Sequence, residues 1–254
     1  MKKYSFLGLF FLLLFQKVFA QGFEVKPMKL YFDNTFYNSH TFTIKNLSNQ
    51  KSTYLLQLQD YTKDEKGNLK LLPLNSTQNS CADFISFYPA MVEIDSMSEK
   101  KVQVKFEKNN LDSSLKWGML IIKSIQEKDS LNKEKSSILI NPQIAVKIYC
   151  NNKFDFKPNF SISEITENKN NFSVDVENKI DAFSRLNILI LLTNIETLKE
   201  VKIDEISTEF LPLYKRKIEF LLPKNLEKGK YSIAFVVKDE NLNFIAGKEL
   251  LIEN

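Results

Sequence analysis

The sequence predicts an all-β chain folded as two β-sandwich domains behind an export signal. Three observations predict it. Short apolar runs alternate with polar residues at period two, no long stretch keeps the 3.6-residue apolar spacing of a helix, and a polar break near the middle separates two halves of similar style.

Residues 1–20 read as a secretory signal peptide. Lys2 and Lys3 supply a positive start, residues 6–15 are unbroken apolar, and Val18-Phe19-Ala20 carries the small residues a signal peptidase reads, so cleavage is expected after Ala20. The apolar run is shorter than the about 20 residues of a membrane span. No stable membrane insertion is expected, and the mature protein should be soluble and exported. Of 35 basic and 31 acidic residues, cleavage removes Lys2, Lys3 and Lys17 and leaves 32 against 31. A net charge near +1, with lysines interspersed among Asp and Glu, has no electrostatic footprint for nucleic acid. Hydrophobic residues make up 43% of the chain and 21 residues are Phe, enough for two cores.

In residues 21–150, Phe42-Thr43-Ile44 alternates into the turn-like Asn46-Leu47-Ser48-Asn49. Residues 54–58 are apolar again, 102–106 alternate cleanly, 118–122 are continuous apolar, and 138–150 close the half. Turn residues at Lys66-Gly67-Asn68 and Asp95-Ser96 fall between them. About seven strands at these spacings fit an immunoglobulin-like sandwich. Asn151-Asn152-Lys153 breaks the last strand and sets the boundary. Residues 151–254 repeat the style at 160–165, 172–176, 188–192, 217–222, 231–237 and 244–252, a second and somewhat smaller sandwich. The stretch from Leu226 through Gly229 to Tyr231 has the spacing of a tyrosine corner, a plain glycine turn being the alternative. The charged residues 127–137 read as an exposed loop.

Most chemistry is excluded, and no enzyme is indicated. His40 is the single histidine, which removes a His-based zinc cluster, and its place at a strand start beside Ser39 and Thr41 suits a solvent-facing ring better than a base. There is no GxSxG elbow, P-loop or GxGxxG, and six glycines are too few for phosphate-cradling loops. The acidic pairs Asp204-Glu205 and Asp239-Glu240 read as solvated loop charges rather than glycosidase carboxylates. No metal or cofactor is expected. Cys81 and Cys150 permit a disulfide in an oxidising compartment, with two buried free thiols as the alternative.

One residue stands out. In QIAVKIYC, residues 143–150, Lys147 sits among alternating Ile144, Val146 and Ile148. It either points to water, as alternate residues of a half-buried strand do, or it has a partner, since an unpaired charge is costly to bury.

The segments FEVKPMKLYF, SHTFTIKNLSN, YLLQLQDY, FISFYPAMVEIDSMSEKKVQVKF, WGMLIIKSI and INPQIAVKIYC, in that order, resemble the N-terminal domain of the PapD-like periplasmic pilus-assembly chaperones. The best-matching parts are the Pro89, Ile94, Lys100 spacing and the Lys-Ile-Tyr near the end. FLPLYKRKIEFLLPKNLEKGKY in the second half is similar to the second domain of chaperone-like proteins from the Bacteroidetes. The resemblance implies two immunoglobulin-like domains set at an angle, with a cleft between them. It also implies a strand lent to an incomplete fimbrial subunit and two basic residues that bind the subunit's C-terminal carboxylate.

By motif position those basic residues are Lys29 and Lys147, and the donor side chains are Ile138 and Ile140. Lys29 stands where that family usually has arginine, and Pro142 interrupts the donor region. Ile138 and Ile140 also fall on the opposite parity to Lys147 unless a bulge intervenes. The partners implied are secreted or fimbrial subunits, and self-association through the exposed strand is the other way to cover it. The alternative is a structural or adhesive two-domain envelope protein. A carbohydrate-binding role would need exposed aromatic residues such as Tyr31, Tyr37 or Trp117 on one face.

Overall fold

The computed structural model describes residues 22–32, 39–107, 114–125, 141–150, 157–168 and 171–254. The signal segment, the loop at 127–137, Tyr37 and both Ile138 and Ile140 lie outside the described residues. In the first half the strands are β1 (Phe23–Lys26), β2 (Lys29–Phe32), β3 (Ser39–Asn46), β4 (Ser52–Lys63), β5 (Leu69–Leu72), β6 (Ile85–Tyr88), β7 (Met91–Ile94), β8 (Glu99–Phe106), β9 (Lys116–Ile125) and β10 (Gln143–Cys150). In the second half they are β11 (Phe160–Ile162), β12 (Thr166–Asn168), β13 (Asn171–Asn178), β14 (Ser184–Asn194), β15 (Glu200–Phe210), β16 (Lys215–Leu221), β17 (Lys230–Asp239) and β18 (Phe244–Glu253).

Among the described residues the first sandwich therefore has ten strands where about seven were expected. One sheet runs β1-β3-β8-β6 and the other β2-β10-β9-β4-β5, with β7 also on β4. The additional strands β5, β6 and β7 are four residues each, too short for alternation to show. The second sandwich pairs β13 with β11, β12 and β16 in one sheet and stacks it on β15-β14-β17-β18. The one helical element among the described residues is a 3-10 turn, Ala82–Phe84. No helix in the described residues is long and apolar enough to cross a membrane.

Period-two burial explains both cores. In β8, Val102, Val104 and Phe106 are buried while the residues between them are exposed, and they meet Phe42, Ile44, Leu120, Ile122, Val146 and Ile148 from neighbouring strands. In the second half Val174, Val176, Ile188, Ile190, Ile233, Phe235 and Val237 interdigitate in the same way. The tyrosine corner is present: the Tyr231 hydroxyl donates to the Glu227 carbonyl at 3.0 Å. Asp239 ends β17, its carboxylate accepting from the amides of Asn241 and Asn243 in the turn that follows.

Cys81 and Cys150 are buried free thiols in the first core. A hydrogen bond between them, together with burial, pushes the Cys150 thiol up. Gly118 makes room for this pair, since a Cβ there would sit 2.7 Å from Cys81 Sγ and 3.3 Å from the Gln59 carbonyl. Gly118→Ala is expected to cost about 2 kcal/mol through overpacking, read as a lower urea midpoint at unchanged slope.

A third apolar cluster joins the halves. Tyr61, Leu115, Trp117, Met119, Ile121 and Tyr149 on the outer face of the first sandwich receive Phe183 and Leu211 from the second. Phe183 meets Tyr149 and Trp117 edge to face, with ring centroids 4.4 Å and 5.4 Å away. Asn178, fully buried, holds the loops that carry both residues. Its side-chain amide donates to the carbonyls of Ala182 and Leu211 at 2.8 Å and 2.9 Å. The β4–β5 turn reaches across as well: the Lys217 amide donates to the Glu65 carbonyl at 2.7 Å. The Tyr214 hydroxyl donates to the Asp64 carbonyl. Gly67, at φ +88°, lies against the Arg216 guanidinium, where a side chain would collide.

Candidate functional site

Alternation along β10 decides what Lys147 faces. Ile144, Val146, Ile148 and Cys150 point into the first core, so Ala145, Lys147 and Tyr149 point outward, toward the junction with the second sandwich. Of the two readings of Lys147, facing water or having a partner, the structure shows the second. β2 runs parallel to β10 in a register that pairs Lys29 with Lys147 and Tyr31 with Tyr149. The tyrosine rings stack at 5.0 Å. The two ammonium groups are thereby brought onto one face, and like charges directly opposite each other repel.

What relieves the repulsion comes from the other domain. Glu209, near the end of β15, accepts from Lys147 Nζ on Oε1 and from Lys29 Nζ on Oε2, both at 2.7 Å. The Tyr149 hydroxyl donates to Oε1 at 2.8 Å. Each lysine thus takes one oxygen of a single carboxylate, which bridges the two ammonium groups within a Debye length of about 8 Å. Lys147 also lies over the Tyr61 ring, 5.8 Å from its centroid, and Lys29 over Tyr149 at 6.0 Å.

Burial pushes the Glu209 carboxyl up, but the Lys147 and Lys29 ammonium groups outweigh it and hold the group at about 2.

Lys63, at the end of β4, completes the cluster, and sequence reading missed it. Its ammonium donates to the main-chain carbonyl of Glu209 rather than to a carboxylate. Among the described residues three ammonium groups and one carboxylate therefore meet here, a net positive set. Burial and the nearby Lys147 charge bring the Lys63 ammonium down to about 8 against Glu209's opposing pull, from an ordinary 10.5. The unfolded chain then holds more protons than the folded one between those values, so stability rises with pH across that window. Lys63→Met is expected to flatten this alkaline rise in urea-denaturation midpoints measured from about pH 7 to pH 10.

β10 has an open side next to the cluster. It pairs with β9 along all of Gln143–Cys150, but β2 pairs only with its last four residues, from Lys147 onward. Residues 143–146 thus present one unpaired strand edge among the described residues.

Of the aromatic residues considered for a sugar platform, Trp117 and Tyr31 flank Tyr149 on one outer face of the sheet, but they do not form an open platform. Trp117 is buried, its indole N–H donating to the Tyr61 carbonyl at 3.1 Å, and Tyr31 is stacked on Tyr149. The sole histidine, His40, bonds the Tyr31 carbonyl at 2.8 Å through Nε2. No group of three or more His, Cys, Asp or Glu placed to hold a metal occurs among the described residues.

The fold is the two-sandwich, immunoglobulin-like architecture of the PapD-like fimbrial assembly chaperones. Two solved structures carry the likeness. One is a chain from a chaperone–tip adhesin complex of CFA/I fimbriae biogenesis, with a TM-score of 0.51 at 12% identity, covering 92% of this chain and 98% of that one. The other is the YadV chaperone, with a TM-score of 0.52 at 10% identity, covering 91% and 99%. No protein-family model and no curated protein matches the chain.

Proposed function

We propose that this protein is a non-enzymatic periplasmic chaperone that holds secreted or fimbrial β-rich subunits during assembly. The observation that carries the reading is the convergence of Lys29 and Lys147 on one carboxylate, an oxygen each, in a cluster that keeps excess positive charge. A subunit's C-terminal carboxylate has the same two-oxygen geometry and would be recognised by the same donors. The open edge of β10 at residues 143–146 supports the second element, an added client strand whose main chain completes the ladder. Ile138 and Ile140, immediately upstream, belong to the same proposal as donor side chains. The same proposal includes a Cys81–Cys150 disulfide in an oxidising compartment, formed from the two free thiols buried in the first core.

A second reading is favoured by Glu209 itself. Because it already pairs with both lysines, the cluster would serve equally as a brace between the domains of a structural or adhesive envelope protein. Affinity purification from the native cell envelope separates the two. The wild-type mature protein is compared with a Lys29→Met/Lys147→Met variant whose fold is verified by near-ultraviolet circular dichroism. Secreted β-rich partners that bind the wild type and are lost from the variant are the expected result. Partners held equally by both would overturn the carboxylate anchor and favour the brace.

A further inference from the structure

Glu209 occupies the position that the proposed function gives to a client. Its two carboxylate oxygens take one ammonium each from Lys29 and Lys147 and a hydroxyl from Tyr149, so every donor that would recognise a terminal carboxylate is already engaged within the chain. We propose that Glu209 is an internal stand-in for the client's C-terminal carboxylate, which closes the anchor until a client displaces it. The inference rests on the anchoring reading and adds to it a competitor built into the second domain.

Three features make the exchange physically feasible. The site is open to an approaching group, since the side chains of Lys29 and Lys147 keep 37% and 22% of their exposure, whereas Glu209 keeps 13%. The Glu209 backbone is held independently of its carboxylate. Lys63 bonds the main-chain carbonyl, and residue 209 pairs with Arg185 in the β14–β15 ladder. The domain junction also has its own apolar contacts, Phe183 and Leu211 against Tyr61, Trp117 and Tyr149. The side chain can therefore leave the lysines without the sandwiches separating.

The consequence is a threshold on binding. An apo protein whose anchor is free only a fraction of the time binds a carboxylate with its apparent affinity reduced by that fraction. Weak or carboxylate-free segments are rejected, and a client that also adds a strand to β10 gains enough to displace Glu209.

The test uses the full mature chain at pH 7 and two fluorescent probe peptides. They share one alternating apolar sequence and end either in a free carboxylate or in an amide. In Glu209→Gln the side-chain shape is kept and the negative charge is lost. The free-acid peptide is expected to bind this variant about tenfold more tightly than the wild type, with the amide peptide unchanged. Glu209→Asp, which keeps the charge and leaves every anchor donor in place but shortens the reach of the carboxylate to the lysines, is expected to shift free-acid binding in the same direction by about twofold to threefold. It guards against a Glu209→Gln protein that folds poorly.

A wild type that prefers the acid over the amide, with no gain in either variant, would overturn the stand-in and leave the anchor intact. Equal binding of acid and amide to all three proteins, or binding of neither peptide, would overturn the anchoring reading and the stand-in with it.

Discussion

Lys147→Met is expected to cost about 3 kcal/mol of folding stability. The methionine retains the apolar stem over Tyr61, but Glu209 then keeps only Lys29 and the Tyr149 hydroxyl around a carboxylate that is 13% exposed. A buried charge stripped of one partner is far more expensive than the intact pair is beneficial, because the remaining group loses hydration without compensation. Urea denaturation at neutral pH, followed by Trp117 fluorescence, measures the loss. The same substitution in a Glu209→Gln background should recover more than half of it, since the stranded charge is gone. A double variant no more stable than Lys147→Met alone would place the cost in packing rather than in charge.

Acid should weaken the domain junction by a comparable amount. Glu209 is held at about 2 in the folded protein against an ordinary 4.5, so its folded pKa is depressed. The stability it contributes is fully present above about 4.5 and is lost as pH falls toward 2, because the unfolded chain takes up the proton first. The difference of about 2.5 units corresponds to about 3 kcal/mol. Glu209→Gln lacks this titration. The stability gap between wild type and variant is therefore expected to change by about that amount between pH 6 and pH 2, with wild type losing more. A gap that stays constant across this range would show that the carboxylate is not held by the lysines in solution.

The legibility of these features followed burial. Strands with one buried face, such as β3, β8, β13 and β17, announce themselves by alternation, and the tyrosine corner followed from spacing around Gly229. β15 did not, and it carries Glu209. Its sequence, EVKIDEISTEF, is charged and largely exposed because it lies at a sheet edge, so no apolar periodicity marks it as a strand. Lys63 was missed for a related reason: a lysine ending a strand beside Asp64 and Glu65 looks like any solvated charge. Lys29 and Lys147 were identified by motif position, but neither motif says which carboxylate they meet.

The sequence by itself determined that this chain builds two sandwiches, and its motifs singled out two lysines. Those conclusions rest on local periodicity and on short spacings, which survive in one dimension. Only the tertiary structure decided that the two lysines are neighbours across a parallel β2–β10 pair, and that a glutamate from the far domain closes on them. Residues 29 and 209 are 180 positions apart, and no local pattern encodes their meeting. It follows from the register of one short strand and from the packing of Phe183 and Leu211 against the first sandwich, which carries the end of β15 to the cluster.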